Sequence, residues 1–283
     1  MAIRPKTALI GVGACLVLLA LVWLAAFHVG VFRHADESGY RQFGDLRGHG
    51  SIAWLTHRFV SAFEPNPYVY LVLVPLIVAL LRGRPRVVLA IGAIILGANA
   101  STELLKHVLA APRPGSLFGG FSPLPPASWP SGHSTAAMSL VLVTVLAVPK
   151  RLRPAATALG AVLAIAVGYS VVAGGLHYPS DVFGGFLVAA TWTLAAVAVL
   201  QAAELRWPLD RTTSGPPVSL RAVLGAPGAV LAGAGLVGLA IAVSRPHDVI
   251  SYARLHQAFV LEAAGIAALS LAVSTAVLLS VRR

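Results

Sequence analysis

Long apolar runs separated by short polar connections dominate the chain. An α-helix rises about 1.5 Å per residue and needs about 20 apolar residues to cross a bilayer. Eight stretches approach that length, at roughly 8–31, 67–81, 87–106, 133–149, 154–176, 181–203, 222–243 and 257–280. The pattern predicts an all-α, polytopic transmembrane helix bundle. Residues 1–203 form a six-span core with an outer connection at 32–66, and residues 204–283 form a cytoplasmic linker followed by two more spans. The first run follows Arg4 and Lys6, as a signal peptide would, but it is too long for a cleavable apolar core and no small-x-small site follows it. It reads as a retained span. Within the outer connection Ile52, Leu55, Phe59 and Phe63 recur at helical spacing, with His57, Arg58 and Ser61 opposite them. This predicts a short amphipathic helix lying on the membrane or packed over the bundle.

Composition agrees with a membrane protein. Only 11% of residues are charged and mean hydropathy is +0.82, where soluble domains carry about 25% charged residues. The formal net charge of +11 would suggest nucleic-acid binding in a soluble chain. Here the basic residues sit in turns such as Arg82-Gly83-Arg84-Pro85-Arg86 and Lys150-Arg151-Leu152-Arg153, which is how a chain sets its topology; no nucleic-acid partner is implied. The connections on the other side carry fewer cations, partly balanced by Asp36, Glu37, Asp45 and Glu64. The asymmetry places both termini in the cytoplasm of a multi-pass cell-membrane protein. The single cysteine, Cys15, excludes an intramolecular disulfide.

Three polar segments stand apart from the apolar pattern: Lys106 to Pro114 after the third run, Pro130 to His133 opening the fourth, and Ser170 to Asp181 joining the fifth and sixth. The alternation of spans puts all three on one, extracytoplasmic, face. Polar groups at membrane depth are costly and mark functional sites. Lys106 and Arg113 are cations suited to phosphate, and Arg can grip two oxygens at once. Pro112 and Pro114 end the helix before Arg113, so that side chain reaches in from a loop. Ser131, Gly132 and His133 open a helix, where free N–H groups bind anions. A neutral imidazole can attack phosphorus while a second histidine protonates the departing oxygen. Asp181, four residues after His177, can fix the tautomer of that ring, or cap its own helix. No further carboxylate or histidine follows at ligand spacing, so no metal and no cofactor is expected.

These segments resemble the type 2 phosphatidic acid phosphatase family, which shares its site with vanadium haloperoxidases. Its pattern is Lys-x6-Arg-Pro, then Pro-Ser-Gly-His, then Ser-Arg-x5-His-x3-Asp. Lys106, Arg113 and Pro114 match the first piece, Pro130 to His133 the second, and Ser170, His177 and Asp181 the third. The resemblance covers about residues 50–203. It implies a metal-free phosphatase in which His177 is the nucleophile held by Asp181, His133 the acid, and Lys106, Arg113, Ser131 and Gly132 the phosphate-holding groups. Where the family has an arginine after the serine, this chain has Val171. Arg245 and Arg254, between the last two runs, are the candidates to replace that cation. The expected substrate is a membrane lipid phosphate or diphosphate, with polyprenyl carriers favoured over phosphatidic acid or phosphatidylglycerol phosphate. A silent lipid-phosphate binding protein and a phosphoryl or head-group transferase are the competing readings.

Overall fold

The computed structural model describes residues 5–208 and 243–281 continuously, with scattered positions between them. The expected span at 222–243 lies largely outside the described residues. The rest is an all-α bundle. In chain order it comprises α1 (Pro5–His28), α2 (Gly30–Gly44), a 3-10 turn (Asp45–Gly48), α3 (Gly50–Ala62), α4 (Pro65–Leu81), α5 (Pro85–Val108), α6 (Gly132–Ala147), α7 (Arg153–Ala173), α8 (Pro179–Arg206), α9 (Pro246–Leu255) and α10 (Gln257–Ser280). The loop between α5 and α6 holds one minimal antiparallel pair, Pro114–Gly115 with Gly120–Phe121.

Among the described helices α1, α5, α7 (with the turn before it), α8 and α10 are long and apolar enough to cross a membrane. The chain is therefore a multi-pass membrane protein. The helices α3 and α4 form a broken pair bent by 69° that would count as a sixth crossing, and α6 is apolar but shorter. Proline starts α4, α5 and α8 within their first turns, where its missing N–H goes unneeded. The amphipathic helix expected around Ile52–Phe63 is α3. A helix at α2 was not expected, because its inward face carries Asp36 and Glu37 beside Tyr40 and Phe43.

The centre of the bundle is α8, with α1, α5, α6 and α10 packed around it. Its Val182, Phe186 and Ala190 meet Ala137 and Met138 of α6, Val167 and Val171 of α7, and Ile266 of α10. Lipid is as apolar as these side chains, so close packing and inter-helix hydrogen bonds must hold the helices together. Gly185 shows how close the packing is: a Cβ there would lie 2.7 Å from the Ser131 carbonyl oxygen and 2.9 Å from the Thr135 nitrogen. The first turn of α6 thus rests directly on α8. The C-terminal helix joins the same body. Phe259 N–H donates to Gln42 Oε1 of α2 at 2.8 Å, and the Tyr169 hydroxyl of α7 donates to the Ala263 carbonyl at 2.8 Å.

Candidate active site

Four helix ends meet at one end of the bundle. The last turn of α5 brings Lys106, the first turn of α6 brings Ser131, Gly132 and His133, and the turn from α7 into α8 brings His177 and Asp181. The backbone joins them: Ser131 N–H donates to the Asp181 carbonyl at 2.9 Å. Ser131 caps α6, its hydroxyl accepting from Ser134 N–H at 3.3 Å. A side chain at Gly132 would meet the Lys106 amine, since a Cβ there would lie 3.3 Å from Nζ. Lys106 in turn bonds Glu103 at 2.6 Å. His107 points elsewhere, its Nδ1 2.7 Å from the Glu103 carbonyl.

The two histidines face each other with ring centroids 6.4 Å apart at 63°. His177 Nδ1 lies 3.2 Å from Asp181 Oδ2, and that same oxygen accepts from Tyr178 N–H at 3.1 Å. Asp181 therefore orients the imidazole and closes the first turn of α8 at once. With Nδ1 committed to the carboxylate, Nε2 of His177 is the nitrogen left for chemistry.

Arg113, which the motif would set against phosphate, is paired with carboxylates here. Its side chain is only 4% exposed and lies behind Asp181. One terminal nitrogen bonds Asp181 Oδ1, and the other bonds Asp36 Oδ2 at 2.9 Å and Ser180 Oγ at 3.2 Å. The guanidinium is sandwiched between the rings of Phe27 and Tyr178, at 4.4 and 4.5 Å. The physical reason is the buried Asp36: an unpaired carboxylate inside the protein would be very costly, and Arg113 is the cation that meets it. Asp36 also accepts from Ser180 N–H at 2.8 Å and from the Ser180 hydroxyl at 2.7 Å. Burial pushes the Asp36 carboxyl up to about 6, with Arg113 pulling against that shift. Burial likewise pushes the Tyr178 hydroxyl up to about 12. Tyr178 and Trp129 are buried and bonded to Ser122 Oγ and the Ser180 carbonyl, respectively.

Val171 is fully buried in the core. Arg245 and Arg254 are exposed and bond none of the site residues. A different arginine approaches the turn. Arg47 Nε donates to the Ala173 carbonyl at 2.5 Å, and its guanidinium lies across Gly175, where a Cβ would come 2.4 Å from a terminal nitrogen. Gly175 has φ +74°, a conformation glycine adopts freely. Beside it a cavity of about 350 Å³ is lined in part by Arg47, Thr56, His57, Ser61 and Glu64. Glu64 is near enough for its charge to act on His133. By sequence alone Asp36 and Glu64 read only as charge balance, and Arg47 as one of the cations they balance. For Asp36 a signal existed: with Tyr40 and Phe43 it falls on one face of a helix.

Residues 87–205 match the family model described as the PAP2 superfamily. This segment is similar to the PAP2 superfamily. Members of that superfamily are generally phosphatases acting on phosphate esters. The match runs from the start of α5 to the end of α8, beginning well after the residue near 50 suggested by the motifs. It therefore contains Lys106, Arg113, Ser131, Gly132, His133, His177 and Asp181, and leaves α1 to α4, α9 and α10 outside. No curated protein and no solved structure matches the chain.

Proposed function

We propose that this protein is an integral membrane phosphatase that hydrolyses a lipid phosphate or diphosphate, a polyprenyl carrier before other lipids, at the outer face of the membrane. The observation that supports the reading most is the pairing of His177 with Asp181 opposite His133. His177 Nε2 attacks phosphorus as the bond to the leaving oxygen breaks, and His133 gives that oxygen its proton. Water then attacks the phosphohistidine, His133 takes a proton back, and inorganic phosphate leaves. Lys106 and the backbone at Ser131–Gly132 hold the phosphoryl oxygens at the N-terminus of α6. Arg47 takes the cationic place that Val171 leaves open. Among the described residues only the Ala173 carbonyl accepts from it, through Nε, so its terminal nitrogens are available to an anion. Both termini are cytoplasmic in this reading, and no metal takes part.

Phosphate release by the purified full chain, across a panel of lipid monophosphates and diphosphates, tests it. The parent should release phosphate from at least one of them, and His177→Ala should release none while still folding. Release by His177→Ala at the parental rate would remove the nucleophile from the scheme. A parent that binds these lipids but never turns them over would favour the binding-protein reading.

A further inference from the structure

One of the two buried carboxylates that pair with the motif arginine comes from outside the matched segment. A continuous line of contacts runs from the reacting ring inward: His177 Nδ1 to Asp181 Oδ2 at 3.2 Å, Asp181 Oδ1 to Arg113, Arg113 to Asp36 Oδ2 at 2.9 Å. Asp36 and Asp181 are 4% and 0% exposed. Asp36 also bonds both the backbone N–H and the hydroxyl of Ser180, the residue before Asp181 in the first turn of α8. So α2 is docked onto the helix start that carries the carboxylate of His177.

We propose that Asp36 is a positioning residue for the reaction, holding Arg113 and the first turn of α8 so that Asp181 keeps the proton of His177 on Nδ1. Two carboxylates share one guanidinium, which leaves this interior with one surplus negative charge. When Nε2 of His177 forms its bond to phosphorus, the ring becomes cationic. The surplus charge, relayed through Asp181, favours that ring over the neutral one. Other charged or titratable groups also face Asp36: Tyr178 stacks on Arg113, Glu37 neighbours it on α2, and Glu262 of α10 packs against Gly39. Glu37 is committed to the α5–α6 loop, accepting from Ser116 Oγ at 2.7 Å and Leu117 N–H at 3.2 Å. Asp36 is the only one of these acids with a bond to Arg113 among the described residues.

The kinetic arm of the test rests on the phosphatase reading; the spectroscopic arm does not. Asp36→Asn keeps the side-chain shape and an oxygen for Ser180 N–H but removes the charge. In the full chain, labelled with 15N-histidine and with the His177 signals assigned by comparison with His177→Gln, Asp36→Asn should shift protonation of the neutral ring from Nδ1 toward Nε2. On a lipid substrate it should lower kcat by about tenfold, the scale of one charged hydrogen bond, with KM changed less than about twofold. Asp36→Glu should restore part of both. If the parent releases no phosphate, the ring spectra alone decide. An unchanged tautomer pattern in a folded Asp36→Asn protein would overturn the proposal and leave Asp36 as a packing contact of α2. A loss of thermal stability with kcat intact would do the same.

Discussion

The open edge of the site around Lys106 and the sealed interior around Arg113 stand seven residues apart in one motif and are built on opposite terms. Lys106 pairs with Glu103, whose side chain is 60% exposed. Such a pair contributes about 0–1 kcal/mol, so the amine can trade its carboxylate for a phosphate at little cost. Arg113 is locked between two buried carboxylates and two aromatic rings. Freeing it would strand two buried charges. One motif thus supplies a cation in a partly open pair with Glu103 and a cation sealed into the frame. A shared pattern of residue types does not imply a shared job.

The comparison can be broken most forcefully at Arg113. Arg113→Ala leaves Asp36 and Asp181 uncompensated, and removing one partner from a buried ion pair costs about 3–5 kcal/mol. Its thermal midpoint in detergent should fall steeply or the protein should fail to accumulate; a fully stable but phosphate-blind variant would instead return Arg113 to the substrate side. The interior also predicts a pH effect. The carboxyl of Asp36, raised by burial to about 6, binds its proton more readily folded than unfolded. Stability should therefore fall as pH rises from about 4 to about 6, on the order of 2 kcal/mol for this one group. Asp36→Asn should flatten that slope, read from thermal midpoints at closely spaced pH; an identical slope would mean that another group titrates. The smallest effects belong to the open edge. Lys106→Ala should leave the thermal midpoint within a few degrees and raise KM about tenfold, while Glu103→Gln, freeing the amine, should lower KM by less than about fivefold. A large stability loss in Lys106→Ala would erase the distinction between the two cations.

Much of this molecule was legible in the sequence because lipid demands it. Long apolar helices such as α1, α5, α7, α8 and α10 announce themselves, and the proline-rich stretch after Lys106 marks the end of α5. His133, His177 and Asp181 stand out in the sequence because phosphate chemistry would use those residue types at helix ends, and the fold brings the three together. The helix α2 was not legible from hydropathy, which reads the Asp36 and Glu37 of its buried face as a solvated loop; only the helical spacing of Asp36, Tyr40 and Phe43 hints at it. Only the partners of the two acids make that burial tolerable. Arg113 lies 77 residues from Asp36, and the Glu37 carboxylate meets Ser116 and Leu117 across a comparable gap. The positions of Tyr178 and Trp129 were hidden for a related reason: an aromatic with a polar tip suits the membrane interface as well as a buried site with an acceptor. Arg47 could not be found from spacing, because it reaches the α7–α8 turn from far away in the chain. Which way Arg113 faces was equally hidden.

The length of α6 has one more consequence. With 16 residues it is about 24 Å long, some 6 Å less than a hydrocarbon layer of about 30 Å, while its neighbour α8 has 28 residues and about 42 Å. A short helix held against a long one creates hydrophobic mismatch, which the bilayer relieves by thinning locally or the protein by drawing the short helix's ends inward. Either response lowers His133 relative to the surrounding head groups. In the lipid-phosphatase reading proposed above, a substrate would then reach the histidines by sliding sideways along a dimple in the leaflet, its tail still in oil, and bilayer thickness would control how readily the site is filled.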